Sequence, residues 1–399
     1  MTLSLPSTAP RRASFRSRLG LIATAAGSVI AVVGWWAWAS AGPASGRTAT
    51  AISVGGHESP TVYYERLRAE VRASPTALQS YVAAGRQAST IGDLTSCPAV
   101  PPPAAELTSN GFYFLTQILP PGIAETSASC GHALACFLGK MVAHQVNPNN
   151  PPSSYSEATL VIDRQCVVNQ TLTLPDRFVL AGVGTEGRGV LAFDLPDGAV
   201  ALRFAPSTGA PQRFVTIRDL NIVNVPQCCG QVGLNVSNSS FVHVERVRLH
   251  DFGFGLMGST AFSIFVDQSF IHNNGFNVVI DDGSNAWRVR DTVMSQSGLI
   301  GVVIGALALG NSLSGGRIES NPVTGIRLMG LQNVVETTWF EGNGIGFGDH
   351  GIQVLSTADQ TRILSNLFSS EDILDAGSHT QTCFNTDDNA LVDLNNCPH

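Results

Sequence analysis

An irregular repeat of about two dozen residues between Phe214 and Phe368 constrains the fold more than any other feature of the sequence. Each repeat has a landmark position, usually glycine, followed by alternating apolar residues. The landmarks are Gly233, Gly255, Asn277, Gly301, Gly325 and Gly351, spaced 22, 22, 24, 24 and 26 residues apart. Because the repeats contain short alternating strands and no helical periodicity, they predict a stacked β-solenoid.

A second strand in each repeat keeps the same register. Its apolar residues are expected to stack inside the solenoid as one column, formed by Leu249, Ile271, Met294, Ile318 and Phe340. A turn column carries Asn274, Asn321 and Asn343, with Phe252 and Ser297 as exceptions. Stacked asparagines can form a hydrogen-bonded ladder, and asparagine tolerates left-handed turn backbone. This column therefore predicts a tight turn at one corner of every coil.

The N-terminal 41 residues are typical of a targeting segment. Arginines precede an apolar run over residues 19–39, and Ala39-Ser40-Ala41 offers a small-residue cleavage site of a signal peptide. The same run is long enough to remain as a membrane anchor, with Trp35, Trp36 and Trp38 at an interface. Both alternatives predict a secreted, periplasmic or cell-surface protein, and the membrane is a partner only if the segment stays uncleaved.

Composition agrees with export from a bacterium. Lys140 is the only lysine, which indicates the codon usage of a GC-rich genome. The net charge of −7 argues against nucleic acid as the main partner. The eight cysteines include no CxxC pair, so disulfides are expected rather than zinc. Cys130 with Cys136 and Cys383 with Cys397 are the simplest local pairs, but the sequence leaves the pairing open.

The predicted fold class is all-β, a single-stranded right-handed parallel β-helix (β-solenoid) with a small α-helical and irregular N-terminal region. The repeat itself leaves the handedness open: the right hand is implied by the family resemblance described below and supported by the general preference of crossovers between parallel strands. Residues 42–157 are interpreted as an Ala/Pro-rich linker and short helical region, with helices within 60–90. Residues 158–371 are assigned to the parallel β-helix, and residues 372–399 to a C-terminal cap or tail.

Several segments resemble the pectate-lyase-like right-handed parallel β-helix superfamily over about residues 158–370. They are residues 160–163, 171–175 and 178–184 in the opening coils, and 316–321 and 338–343 further on. That superfamily includes polysaccharide lyases, glycoside hydrolases, epimerases and phage tailspikes, so the resemblance implies a fold and not one reaction. The ordered polygalacturonase motifs do not occur, and Lys140 lies outside the solenoid, which excludes a lysine-based lyase site within it.

Two columns of the second strand are expected to point outward, because strand residues alternate between the two faces. One column is Arg248, Phe270, Val293, Arg317 and Trp339, and the next is His250, His272, Ser295, Glu319 and Glu341. The candidate catalytic residues are Glu319, Glu341 and His272, and the candidate substrate-binding residues are Arg248, Phe270, Arg317 and Trp339.

The residue types in these columns suit an acidic glycan. Aromatic rings such as Trp339 can stack on sugars, and the planar fork of Arg317 can pair with a uronate carboxylate. Glu319 and Glu341 lie one coil apart, so repulsion is expected to raise one pKa and create a general acid. His272 is the candidate base. The alternative is an ordinary solvated surface on which Arg317 neutralises the glutamates.

Metal and other histidine sites are weaker candidates. Asp281 and Asp282 could bind Ca²⁺ with Asp267 or Asp291, or could belong to a turn. His350 is interpreted as a turn residue or as a catalytic histidine. No other cofactor is expected.

The sequence therefore predicts an exported, polysaccharide-active enzyme, a lyase or hydrolase of an acidic glycan. A non-catalytic, adhesive glycan-binding protein of the cell surface and a structural scaffold remain as alternatives. An outward face covered by residues 60–150 would favour the scaffold.

Overall fold

The computed structural model describes residues 69, 111–119, 128–145, 158–184, 189–204, 214–225, 230–348 and 350–387. Within these residues, 30 strands form three parallel sheets, and two helices lie before the second strand. Helix α1 spans Leu115–Ile118 and helix α2 spans Ala128–Gln145. No helix in this part of the chain is long and apolar enough to cross a membrane.

The strands are numbered in chain order, and each sheet takes every third strand. The first sheet contains β1 (Phe112–Phe114), β2 (Ala158–Ile162), β5 (Phe178–Gly182), β8 (Val215–Arg218), β11 (Ser240–Glu245), β14 (Phe262–Asp267), β17 (Arg288–Arg290), β20 (Ser312–Ser314), β23 (Val334–Glu336), β26 (Arg362–Leu364) and β29 (Gln381–Cys383). The second sheet contains β3 (Gln165–Val168), β6 (Val190–Phe193), β9 (Asn221–Asn224), β12 (Arg248–His250), β15 (Phe270–His272), β18 (Val293–Ser295), β21 (Arg317–Glu319), β24 (Trp339–Glu341), β27 (Leu367–Ser369) and β30 (Thr386–Asp387). The third sheet contains β4 (Leu172–Leu174), β7 (Val200–Phe204), β10 (Val232–Asn235), β13 (Phe254–Gly258), β16 (Phe276–Ile280), β19 (Ile300–Ile304), β22 (Thr324–Leu328), β25 (His350–Val354) and β28 (Asp372–Asp375).

The chain thus coils through the three sheets in turn, which confirms the predicted parallel β-solenoid. The coils begin at β2, where the predicted boundary of residue 158 lies, and they continue through β30 at Asp387. The predicted end of the solenoid at residue 371 is therefore wrong, because residues 372–387 pair with the coil before them. The targeting segment 1–41 and, apart from residue 69, the helices expected in 60–90 lie outside the described residues.

The glycine landmarks mark a point where neighbouring coils approach too closely for a side chain. A Cβ on Gly301 would lie 2.6 Å from the carbonyl oxygen of Gly325, and one on Gly325 would lie 2.6 Å from that of Gly351. Asn277, the exception in this column, is buried, and its amide donates to the Ser295 carbonyl at 3.0 Å. The close approach of the coils at the start of the third sheet therefore accounts for glycine at most of the landmarks.

The predicted inward column is correct throughout. Each member pairs with the next in the second sheet and is almost completely buried; the column is Leu249, Ile271, Met294, Ile318 and Phe340. Phe368 extends it by one coil, and its ring stacks on Phe340 with centroids 4.8 Å apart. Because each such side chain packs between equivalent neighbours above and below, the core is one continuous column of apolar residues.

The predicted asparagine ladder is present at the corner between the second and third sheets. The Oδ1 of Asn321 accepts from the Ser297 backbone N–H at 3.1 Å, and that of Asn343 accepts from Asn321 at 3.2 Å. The side-chain amides of Asn321 and Asn343 donate to the carbonyls of Met294 and Ile318. The left-handed backbone belongs to the preceding residue of each turn, such as Ser320 with φ of 55°. The ladder residues thus satisfy buried backbone groups.

Glu371 ends this ladder where the repeat would place another asparagine. Its Oε1 accepts from the backbone and the side-chain amide of Asn343, and its Oε2 accepts from the Ser369 backbone N–H. The side chain is almost fully buried, and burial raises the pKa of Glu371 against the opposing effect of these hydrogen bonds.

The first coil is covered by α2, which adds apolar residues to the same core. Cys130 in α2 forms a disulfide with Cys166 in β3, so the local pair Cys130–Cys136 expected from the sequence is wrong. Cys136 and Cys383 are also disulfide-bonded. Gly131 lies so close to β3 that a Cβ would stand 2.6 Å from the Cα of Val168. The helix therefore closes the open end of the apolar column.

The third sheet is buried on both faces in its middle coils. Its outward residues form a separate apolar cluster that includes Val200, Val232, Phe254, Met257, Phe276, Val279, Ile300 and Val303. Strands such as β16 consequently consist of apolar or buried residues without polar alternation, as expected for a strand covered on both sides. Exposed outward columns are therefore a property of the first and second sheets.

We expect Asn321→Ala to lower the free energy of unfolding by about 1–3 kcal/mol, because it leaves at least one buried backbone group without a partner. Urea unfolding followed by circular dichroism measures this change. Ser312→Ala, a half-buried polar residue of the outward face, is the control and should change stability by less than about 0.5 kcal/mol. Equal effects of the two substitutions would show that the ladder does not stabilise the coils.

Glu371→Gln should change how stability depends on pH. A carboxyl whose pKa is raised on folding binds more protons in the folded state, so its stabilising contribution is present below the unfolded pKa and is lost as pH rises through the folded pKa. The glutamine variant lacks this loss. The stability of the variant minus that of the wild type should therefore increase from acid to neutral pH, and a constant difference in urea unfolding across this range would contradict the assignment.

Candidate functional site

Both outward columns of the second sheet occur as the sequence predicted. Arg248, Phe270, Val293, Arg317 and Trp339 pair in register from coil to coil, and so do His250, His272, Ser295, Glu319 and Glu341. The upper end of this face is open, since Trp339 is 41% exposed. The structural scaffold alternative expected residues 60–150 to cover this face, and most of those residues lie outside the described part of the chain.

Four of the candidate residues form one contact network, here called the Arg317 cluster: Arg317, Glu319, Trp339 and Glu341. The Arg317 Nε lies 2.5 Å from Oε2 of Glu319, and its Nη2 donates to Oε2 of Glu341. The guanidinium carbon lies over the Trp339 ring, 4.9 Å from its centroid. One arginine thus bridges two carboxylates on adjacent coils and stacks on an exposed indole.

The local backbone brings these side chains together. Gly315 and Gly316 both have positive φ, and a Cβ on Gly316 would lie 2.2 Å from the Thr292 carbonyl oxygen, so only glycine fits the turn before β21. The parallel register between β21 and β24 then places Arg317 beside Trp339 and Glu319 beside Glu341. Parallel strands about 4.8 Å apart hold these pairs at contact distance.

The two glutamates have different surroundings. The side chain of Glu319 is 19% exposed and that of Glu341 is 43% exposed. Burial is the largest influence on Glu319 and raises its pKa; the charge of Arg317 lowers it and the charge of Glu341 raises it, with a net increase. The predicted rise of one carboxyl pKa is therefore correct in direction, but burial contributes more than repulsion between the carboxylates. The raised pKa favours the protonated form of Glu319, which suits a general acid.

A second network, the His272 cluster, lies on the earlier coils of the same face, on β12 and β15. It contains Arg248, His250, Phe270 and His272. The Nε of Arg248 donates to Nε2 of His272 at 3.0 Å, and its guanidinium lies 5.6 Å from the Phe270 centroid. The His272 ring stacks on Phe270 and on His250, with centroids 4.2 and 4.8 Å apart. These stacked and hydrogen-bonded contacts hold the imidazole of His272 in place.

His272 does not fit the predicted role of a general base. Burial lowers its pKa to about 3, and the charges of His250 and Arg248 lower it in the same direction. Its Nε2 already accepts a hydrogen bond, and the side chain is only slightly exposed. The coil that carries Val293 and Ser295 also separates it from Glu319. The predicted face is therefore two clusters, and the sequence could not show the burial that distinguishes them.

The predicted calcium site is not assembled. Asp281 and Asp282 lie in the turn after β16, as the turn alternative predicted, and Asp282 Oδ1 accepts from the Leu307 backbone N–H at 3.0 Å. Asp267 is at the end of β14, where it pairs with His243 and Arg290, each at 2.7 Å. Along each coil, the strand of the first sheet lies between the turn that carries Asp281 and Asp282 and the corner that carries Asp267. Among the described residues, no group of three or more His, Cys, Asp or Glu side chains could hold a metal ion.

His350 is the first residue of β25 and not a turn residue. Its Nδ1 pairs with Asp372 of the next coil, on the outward side of the third sheet. The two residues lie on a different face from the Arg317 cluster, so they do not extend it. The alternative of a turn histidine is therefore wrong.

Sequence reasoning missed an aromatic pair at the edge of the first sheet. Phe214 and Phe241 are 54% and 45% exposed, and their rings stack with centroids 5.5 Å apart. Both residues have positive φ, which is unusual for a bulky side chain. The spacing of 27 residues between them breaks the repeat, so the alignment of coils did not place them together.

Comparisons with known proteins agree on the architecture. The family model described as a right handed beta helix region matches residues 207–368. The protein thus has the right-handed parallel β-helix fold. This confirms the predicted fold class and the predicted resemblance to right-handed parallel β-helix proteins. No curated protein matches the sequence.

Solved structures with the same fold have little sequence in common with this chain. DFA-IIIase from Arthrobacter chlorophenolicus A6, in complex with DFA-III, is 12% identical with a TM-score of 0.55, over 69% of this chain and 84% of that chain. ORF18 of Geobacillus virus E2 is 11% identical with a TM-score of 0.54, over 69% of this chain and 60% of that chain. At these identities the likeness concerns the fold alone.

Substitutions around Glu319 should move its pKa in opposite directions. Glu341→Gln removes a negative neighbour and should lower the pKa of Glu319, whereas Arg317→Gln removes a positive neighbour and should raise it. Carbon-detected NMR titration of the glutamate carboxyl groups measures both shifts. Glu336→Gln, on the first sheet, is the control and should leave the pKa unchanged. A shift of the same sign in both variants would refute the electrostatic coupling.

Proposed function

We propose that the protein is an exported enzyme that cleaves an acidic polysaccharide at the Arg317 cluster. The observation that carries the proposal is the pair of glutamates on adjacent coils, one with a raised pKa, beside an exposed tryptophan. Hydrolysis of a glycosidic bond uses such a pair, one carboxyl group as the acid and the other as base or nucleophile. In this assignment Glu319 protonates the leaving oxygen, and Glu341 serves as the second carboxylate.

The binding roles follow from the same contacts. Trp339 presents its ring to solvent and provides a surface on which a sugar can stack. Arg317 holds both glutamates in the unliganded protein. A uronate carboxylate would compete with Glu341 for the guanidinium, since Glu341 is the more exposed of the two partners. Binding of an acidic sugar would then release Glu341 for the reaction.

Hydrolysis fits the face better than the lyase reaction. A lyase requires a base that removes the proton beside the uronate carboxyl group. His272 is a poor base because of its low pKa and its bound Nε2. The coils contain no lysine.

Non-catalytic glycan binding is the second candidate, and one observation favours it. Arg317 pairs with both carboxylates and thereby opposes the rise in the pKa of Glu319. If no substrate displaces this arginine, the face can hold a glycan without cleaving it. An adhesive protein of the cell surface would use Trp339 and Arg317 in this way.

The test uses purified full-length protein with a panel of polyuronides and neutral glycans. New reducing ends without ultraviolet absorbance from unsaturated uronates would indicate hydrolysis. Glu319→Gln and Glu341→Gln should each lower kcat by about 10²-fold or more, because each removes an acid–base or nucleophilic group. Glu336→Gln is the matched control, since Glu336 is a half-buried outward glutamate on the neighbouring sheet, and it should retain full activity.

The same measurements separate the two candidate functions. Binding without turnover, lost in Trp339→Ala but kept in Glu341→Gln, would establish the non-catalytic alternative. Turnover that persists in the Glu319→Gln/Glu341→Gln double variant would remove the Arg317 cluster from the reaction.

A further inference from the structure

A groove walled mostly by polar residues lies on the outward side of the first sheet, around the corner from the Arg317 cluster. It has a volume of about 580 Å³, and its walls are Gln332, Val334, Gln360, Arg362, His379 and Gln381. Val334 belongs to the same coil as Trp339, and the turn residue Thr337 separates the two sheets. The groove therefore presents a second surface on the coils that carry the proposed reaction site.

The walls come from two neighbouring columns. Gln332, Gln360 and His379 are successive turn residues with positive φ, which stand in front of the first-sheet strands. Val334, Arg362 and Gln381 begin those strands and pair in register. Side chains of the turn column and of the strand column together line the groove.

Arg362 supplies a positive charge that the described residues leave unpaired. The side chain is exposed, and within this part of the structure it has no ion pair and no hydrogen-bond partner. This differs from Arg317, Arg246 and Arg290, each of which pairs with a carboxylate. An uncompensated guanidinium in a groove of an acidic protein favours a ligand with a carboxylate or a similar anion.

The glutamines supply neutral hydrogen-bonding groups next to this charge. Gln332 donates its amide to Oε1 of Gln360 at 3.0 Å, which leaves its own carbonyl oxygen available. The amide of Gln381 makes no hydrogen bond with the described residues. Asp359 at the rim accepts from His379 at 2.7 Å and from Ser378 at 2.9 Å, so its carboxylate is already engaged. The groove thus offers one guanidinium and several amides, with the Asp359 carboxylate held by His379 at its rim.

We propose that this groove is a second binding site for an acidic saccharide, in which Arg362 pairs with the uronate carboxylate and the glutamines bind sugar hydroxyls. One charged group among several amides matches a ligand with one carboxylate and several hydroxyls per unit. The open groove is larger than a free inorganic anion requires. The inference rests on the proposed function only in taking an acidic glycan as the ligand.

The test isolates the groove from the Arg317 cluster. Full-length protein with Trp339→Ala and Arg317→Gln lacks both proposed sugar-binding side chains of the Arg317 cluster, and it is titrated calorimetrically with an oligogalacturonate. Adding Arg362→Gln should weaken binding about tenfold or more, because it removes a charge-assisted hydrogen bond. Arg288→Gln is the matched control: Arg288 is an exposed arginine of the same strand column, three coils away. It should leave the affinity unchanged.

A methyl-esterified oligogalacturonate tests the charge, since it has the same sugar without the carboxylate. It should bind the isolated groove about tenfold more weakly than the acid and should be insensitive to Arg362→Gln. Absence of binding to the isolated groove, or equal affinity with and without Arg362, would overturn the proposal. Failure of turnover in the wild-type protein would not overturn the proposal, because the measurement is of binding to a variant that lacks the sugar-binding side chains of the Arg317 cluster.

Discussion

The close stacking of one coil on the next is the constraint on which the rest of the structure depends. At the start of the third sheet the backbones approach so closely that a Cβ on Gly301 or Gly325 would lie 2.6 Å from a carbonyl oxygen of the neighbouring coil. Backbone groups at the corners are buried, and Asn321 and Asn343 satisfy them through their side chains. The glycine landmarks, the asparagine ladder and the inward apolar column therefore all follow from the spacing between neighbouring coils. Together they fix which residues face outward.

The same spacing creates the chemistry of the surface. Parallel register places equivalent side chains about 4.8 Å apart, so residues 22 to 24 positions apart in sequence become neighbours from β12 to β24. Arg317 can bridge Glu319 and Glu341 only because β21 and β24 are in register. Burial within this column, more than the repulsion between carboxylates, raises the pKa of Glu319.

The three sheets nevertheless differ in what they present. The outward face of the third sheet is apolar and buried in its middle coils, which leaves the first and second sheets to meet a ligand. On the second sheet the polar residues separate into an open Arg317 cluster and a mostly buried His272 cluster. On the first sheet the groove around Arg362 lies one corner away from Trp339. A polymer bound to one surface would therefore lie close to the other.

The sequence by itself determined the solenoid, the inward column from Leu249 to Phe340, the asparagine corner and the pairing of Glu319 with Glu341, because all of these repeat with the coil. It misplaced the end of the solenoid, since residues 372–387 form coils without the glycine landmark. Only the tertiary structure decided that His272 is buried and its pKa lowered, that Cys130 pairs with Cys166, and that Arg362 lines a groove. The physical reason is that burial, disulfide partners and cavities depend on contacts between side chains of different coils and helices, and periodicity along the chain contains no information about them.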